Sequence, residues 1–144
     1  MSKTVKTVYL VSCVSRKRDH RLAAKDLYIS DWFVKARAYV EQAGDEWFIL
    51  SAEHGLVSPE AVIDPYERTL NTMRIADRRA WGSKVLKQLL LKLRGGDRVV
   101  ILAGARYREF LVDGIWAKGL AVDIPLEGMR IGEQLRWLKR NTEQ

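Results

Sequence analysis

An α/β fold is predicted for this chain: one three-layer domain spanning residues 1–144, built on a mostly parallel sheet of four to five strands. Three observations predict it. Short apolar runs rich in β-branched residues alternate with longer segments of helical periodicity, the pattern of a sheet covered by helices. Residues 97–103, Asp-Arg-Val-Val-Ile-Leu-Ala, form an apolar run without polar alternation, as a strand buried on both faces requires. The chain has 144 residues, 47% hydrophobic and 30% charged, enough for a sizeable core and too apolar for a disordered segment.

The elements follow in order. Residues 5–13 read as the first strand, with Val, Tyr and Leu in a nearly continuous apolar run. A polar, strongly basic loop extends from there to residue 21. In residues 23–43, Leu27, Trp32, Phe33, Ala36 and Val40 recur at roughly helical spacing, and Gly44 is a natural stop. Ser30-Asp31 has the form of an N-cap, which divides this segment into a short turn and a helix from about residue 31. Residues 46–51 are the second strand; Gly55 breaks it, and residues 52–71 are read as a loop with room for a short helix. Residues 75–93 place Trp81, Val85, Leu89 and Leu93 on one helical face, and Gly95-Gly96 ends that helix. The strand at 97–103 stops at Gly104, and a helix begins over 107–111. Residues 120–124 are the fourth strand, 125–128 a turn, and about 131–140 the last helix. The tryptophans at 32, 47, 81, 116 and 137 fall on these patterns and are assigned to core packing rather than to a stacking platform.

Composition narrows the function classes. The net charge of +7 favours a polyanionic partner, nucleic acid or nucleotide, over a protein that is merely basic. The single cysteine, Cys13, excludes an internal disulfide; two histidines without CxxC or HExxH spacing leave no expected metal, and no cofactor is implied. No apolar run approaches the roughly 20 residues of a membrane span, and the first run is shorter than the about 7–15 of a signal-peptide core. A cytoplasmic protein without membrane association is expected.

Candidate site residues gather where the strands end. The first strand delivers Ser12, Cys13, Ser15, Arg16 and Lys17, hydroxyls and cations that suit an anion cradle but lack the glycines of a P-loop. Cys13 is either a nucleophile with His54 as its base or a small buried hydrophobe. The second strand delivers Ser51, Glu53 and His54, residue types suited to general acid/base work. If the chain stays extended, Ser51 and Glu53 share one side and His54 faces the other. Asp64 adds a carboxylate, and Tyr66 is either a ring that stacks on a base or a plug that pins the loop. The third strand contributes Gly104, Arg106 and Tyr107; the fourth contributes Glu127 and Gly128, followed by Arg130 and by Gln134, which either reaches a base edge or lies on the surface. In a parallel sheet these ends meet on one edge, where open α/β sheets bind ligands.

Six segments in one order carry a resemblance. They are Ser12-Cys…Lys17, Ala24-Lys-Asp-Leu-Tyr-Ile-Ser30, Leu50-Ser-Ala-Glu-His-Gly-Leu-Val57, Pro65-Tyr…Thr69-Leu70, Leu102-Ala-Gly…Tyr107 and Pro125-Leu-Glu-Gly-Met-Arg-Ile-Gly132. Together they resemble the DUF6884 family of small bacterial and phage proteins across nearly the whole chain. The stretch from Leu50 through Tyr66 is similar, more loosely, to the peroxide-stress YaaA family, associated with DNA binding. Ser51 to Pro59 and Pro125 to Gly128 are also similar to a domain of archaeosine synthases, which implies a uracil-DNA-glycosylase-like architecture. The chain departs from both looser groups at His54, where an aromatic ring such as Tyr is usual, so the position calls for a flat ring.

The expectation is a nucleobase- or nucleotide-binding enzyme that acts on an N-glycosidic bond of nucleic acid or a modified nucleoside. Glu53 or Asp64 would stabilise the cationic sugar or orient water, and Ser51 with Tyr66 would hold the departing base. Arg16, Lys17 and Arg106 would hold phosphate. The alternative is a non-catalytic DNA- or RNA-binding protein, or a stress-response module, using the same basic edge.

Overall fold

The computed structural model describes residues 5–12 and 17–142. Its elements run β1 (Thr7–Ser12), β2 (Leu22–Ala23), α1 (Ala24–Leu27), α2 (Asp31–Ala43), β3 (Trp47–Ser51), β4 (Gly55–Val57) and β5 (Val62–Ile63). A 3-10 turn (Leu70–Thr72) follows, then α3 (Ile75–Leu90), β6 (Arg98–Leu102), α4 (Ala105–Arg108), α5 (Val112–Ala117), β7 (Ala121–Asp123) and α6 (Ile131–Thr142). Five strands make one sheet in the order β4-β3-β1-β6-β7, and β2 with β5 makes a separate antiparallel pair.

β1 lies parallel to both β3 and β6, and β6 lies parallel to β7; only β4 runs antiparallel, against β3. The mostly parallel sheet therefore matches the expectation. Side chains alternate across it, and both sets are apolar near its centre. Val8, Leu10, Phe48, Leu50, Val99 and Ile101 face Trp81, Val85 and Leu89 of α3, Tyr107 of α4 and Ile115 of α5. Val11, Trp47, Ile49 and Leu102 face Leu27 of α1, Phe33, Ala36 and Val40 of α2, and Leu138 of α6. Each fully buried Leu, Ile or Phe in these layers contributes roughly 1.5–3 kcal/mol of transfer free energy.

The connection from β1 leads to β3 on one side, while β6 returns to the other side of β1. Connections that diverge in this way put a topological switch point between β1 and β6, and open α/β sheets bind ligands at the carboxyl ends beside such a point. The Ser30 cap is present, its Oγ accepting the Phe33 N–H at 3.2 Å, so 23–43 divides into α1 and α2 as its sequence predicts.

Residues 52–71 differ from the expected loop. Gly55 does not end the strand order; it starts β4, with Ser51 paired to Gly55 across a turn at 52–54. Its φ of 77° lies in the left-handed region open to glycine, which lets the hairpin reverse. The loop also contributes β5, which pairs with β2 and pins the basic segment after β1 to the 58–63 stretch. Trp116 departs from the core assignment of the tryptophans: it is 59% exposed.

Candidate functional site at the carboxyl edge of the sheet

Cys13, Ser15 and Arg16 lie outside the described residues. Ser12 ends β1 and is buried. Lys17, just beyond, bridges in antiparallel fashion to Tyr28 and carries its ammonium 4.6 Å from the centre of the Tyr66 ring and 5.7 Å from that of Tyr28. Cations over aromatic faces are attracted by the ring quadrupole, so Lys17 covers the ring that the sequence offered as a stacking surface.

Tyr66 is the hub of a hydroxyl network. Ser51 Oγ donates to Tyr66 Oη at 2.9 Å, and Tyr66 Oη lies 2.7 Å from Tyr28 Oη. Ser51 Oγ also accepts the His54 backbone N–H at 3.0 Å, which fastens the β3–β4 turn to the end of its own strand. The His54 ring packs edge-on to Tyr66 with centroids 5.5 Å apart. The His54 ring thus lies against Tyr66 while its backbone N–H is held by Ser51. On the far side, the Trp81 indole N–H donates to the Ser51 carbonyl at 2.9 Å. Ser51 is fully buried, and its polar groups meet Tyr66, His54 and Trp81, which gives it a positioning role.

Glu53 and His54 part company at the turn. Glu53 is exposed and points to Arg68, with Oε1 3.5 Å from Nε. Both line a cleft of about 420 Å3 walled by Met73 and Trp81, with Asp77 and Lys84 at its rim. Two carboxylates, two cations and an indole thus share one opening beside the hydroxyl network. Asp64 does not join them: it is exposed at the end of β5 and its nearest cation is Arg21, at 3.9 Å.

Beyond β6, Gly104 and Arg106 are exposed at the start of α4, and Arg106 forms no ion pair among the described residues. Tyr107 is buried, its hydroxyl 3.3 Å from Thr69 Oγ1 and accepting the Leu70 N–H at 3.4 Å. It braces the 3-10 turn that follows Arg68. Glu127 and Gly128 lie past β7, where Arg108 reaches Glu127 at 3.7 Å beside a groove along the outer edge of the sheet. Gln134 joins two helices: its Oε1 accepts from the Trp32 indole at 2.8 Å and its Nε2 donates to the Met129 carbonyl at 2.9 Å. The fourth strand end therefore stands apart from the Ser51–Tyr66 centre.

Residues not offered as site residues from the sequence complete the arrangement: Tyr28, Arg68, Lys84 and Trp81, the last read there as core packing. Tyr28 sits within the Ala24 to Ser30 segment and Arg68 within Pro65 to Thr69, two of the six segments that carry the family resemblance. Trp81 and Lys84 occupy adjacent turns of α3 and carry no local signal that separates them from an ordinary amphipathic helix. Among the described residues, no group of three or more His, Cys, Asp or Glu side chains is placed to hold a metal ion. No helix among them is long and apolar enough to cross a membrane.

Lys17, Tyr28, Ser51, His54, Tyr66, Thr69, Leu70 and Tyr107 come from five of those six segments, and the fold links them through contacts at one edge of the sheet. Comparison with known proteins agrees with the resemblance. The chain is 29% identical over 129 residues to the Bacillus subtilis (strain 168) protein described as "Uncharacterized protein YfjM", a match covering 84% of this chain and 81% of that relative. The model of the family described as "Family of unknown function (DUF6884)" matches residues 8–140, and the chain belongs to that family.

Proposed function

We propose that the carboxyl edge binds a nucleotide or nucleic-acid segment and that Glu53 acts at its N-glycosidic bond. The observation that carries this reading is the cleft shared by Glu53, Arg68, Lys84 and Trp81 directly behind the Ser51–Tyr66 network. Cleavage of an N-glycosidic bond develops positive charge on the sugar, and a carboxylate at the mouth of a cleft stabilises that charge or orients water. Arg68 holds Glu53 in place, and Lys84 with Lys17 and Arg106 supplies positive charge for phosphate. Ser51 and Tyr66 act through position, because their hydroxyls hold the turn from which Glu53 projects. Asp64, paired with Arg21 away from the cleft, has no part in this scheme.

The test incubates purified protein with labelled single- and double-stranded DNA and RNA and with free nucleosides, and scores released base and bound substrate together. Base release is expected, reduced roughly 10²–10⁴-fold in Glu53→Gln with affinity and fold retained. Absence of base release from every substrate defeats the catalytic reading.

A second reading, non-catalytic nucleic-acid binding, draws on the net charge of +7 and on the ion pair that already engages Glu53. It predicts binding without product, insensitive to Glu53→Gln. The affinity would fall steeply with salt, the logarithmic slope easing by about 0.9 for each phosphate-contacting cation removed.

A further inference from the structure

Toward its edge strand β7 the sheet is open to solvent and carries polar side chains. On the face covered by α2 and α6, two cross-strand rows lie side by side: Thr7, Arg98 and Ala121, then Tyr9, Val100 and Asp123. Arg98 reaches diagonally from β6 to form an ion pair with Asp123 on β7. Helix α2 supplies Tyr39, whose ring meets Tyr9 edge-on at 6.1 Å between centroids, and α6 supplies Trp137, which meets Tyr39 at 5.1 Å. These groups border a cavity of about 410 Å3 floored by Val100 and closed on one side by Pro125. Its size falls in the range of small-molecule sites, roughly 300–1,000 Å3, which pair apolar walls with a few convergent polar groups.

Among the described residues, the Tyr9 and Tyr39 hydroxyls and the Trp137 indole N–H make no hydrogen bond. Burial raises both phenol pKa values; Asp45 adds to the rise at Tyr9 while Arg98 opposes it, and at Tyr39 the Tyr9 phenol adds to it. Both phenols therefore stay protonated near neutral pH and available as donors. The cavity thus presents uncharged hydroxyls, one indole and a guanidinium beside a carboxylate. A planar heteroaromatic ring with donors and acceptors on one edge satisfies all of them. A simple anion would face Asp123, and a simple cation would face Arg98.

We propose that this cavity is a second ligand site, for a nucleobase of the guanine type. Arg98 donates to the base carbonyl oxygen, Asp123 accepts from the adjacent ring N–H and exocyclic amine, and the Tyr39 and Trp137 rings pack on the base. Guanine is favoured because its edge runs acceptor, donor, donor, which matches a guanidinium followed by a carboxylate. The Asp123 carboxylate has lone pairs enough to keep its bond to Arg98 while accepting from the base. The site lies toward the amino-terminal ends of β1 and β6 beside the edge strand β7, whereas the cleft of Glu53 lies beyond the carboxyl end of β3, and it stands independently of the function proposed there.

The test uses two-dimensional 1H–15N spectra of the full chain titrated with guanosine, adenosine, cytidine and uridine, and with L-tryptophan as a zwitterionic aromatic control. Trp137→Phe assigns the Trp137 indole resonance, and the Trp81 indole reports the carboxyl edge separately. Guanosine is expected to move the Trp137 resonance and bind most tightly. Arg98→Gln and Asp123→Asn, both rim residues, should each weaken that titration roughly ten-fold or more with melting temperature preserved. Tyr39→Phe, which keeps the ring, serves as the second variant and should weaken it less. The proposal is overturned if no nucleoside moves Trp137 up to millimolar concentration, if L-tryptophan binds in preference, or if the titration survives both rim substitutions. Movement of the Trp81 resonance alone also overturns it while leaving the carboxyl-edge reading standing.

Discussion

Tyr66 shows how a single residue can tie a site together: its hydroxyl meets Ser51 and Tyr28, its ring stands perpendicular to that of His54, and its face meets Lys17. Tyr66→Phe keeps the ring contacts and removes the hydroxyl bonds to Ser51 and Tyr28, leaving Ser51 Oγ without its acceptor. The expected cost is ~1–3 kcal/mol in urea unfolding, since a buried polar group loses its partner. An unchanged midpoint would mean that the network contributes nothing to stability. Asp97 plays a comparable part away from the site. It is buried, and burial alone would raise its carboxyl. It nevertheless sits below its ordinary value because it accepts the N–H groups of Arg94 at 2.8 Å and Lys6 at 3.1 Å, aided by the positive charge of both residues. A carboxyl lowered on folding stabilises the protein above its unfolded pKa, near 3.8, and loses that contribution as pH falls through the folded value. Asp97→Ala should therefore cost ~1–3 kcal/mol at neutral pH, and the gap to the parent protein should narrow below about pH 4. A gap independent of pH would assign the loss to packing.

At the scale of elements, the β3–β4 hairpin is the piece that aims the site, and Gly55 is its pivot. Besides its left-handed φ, a Cβ at Gly55 would lie 2.6 Å from Gln88 Oε1, the atom that accepts the Leu56 N–H at 3.0 Å. Gln88 on α3 thereby caps the outer edge of β4, an edge that would otherwise expose unpaired backbone groups. Gly55→Ala should cost ~1–2 kcal/mol from backbone strain alone, with a further loss as Gln88 is displaced. It should also loosen Glu53, two residues earlier in the same turn. Thermal unfolding alongside amide exchange at Leu56 measures both effects, and a wild-type melting temperature with a protected Leu56 amide would refute the pivot role. A short hairpin is hard to read from this sequence because Ser51-Ala-Glu-His-Gly lacks the Asn-Gly or Asp-Gly signature, and a three-residue β4 carries too little periodicity.

Over the whole molecule, the strand order β4-β3-β1-β6-β7 decides what can meet. Ser12 and Ser51 end neighbouring parallel strands, and Gly104 follows the strand on the other side of β1, so three of the strand ends stand side by side. The fourth ends beside β6 but two strands from β1, and past it Glu127 meets Arg108 rather than the Ser51–Tyr66 network. The sequence by itself determined the layer architecture, the four parallel strands, the Ser30 cap and the polarity of the strand ends. Each of those rests on local periodicity or on turn chemistry within a few residues. Only the tertiary structure decided that Glu53 faces Arg68 and Trp81 while His54 faces Tyr66, that Lys17 covers Tyr66, and that Arg98, Asp123, Tyr39 and Trp137 surround one cavity. Those partners lie up to dozens of residues apart in the chain, and strand order and helix placement, which local spacing does not encode, bring them together.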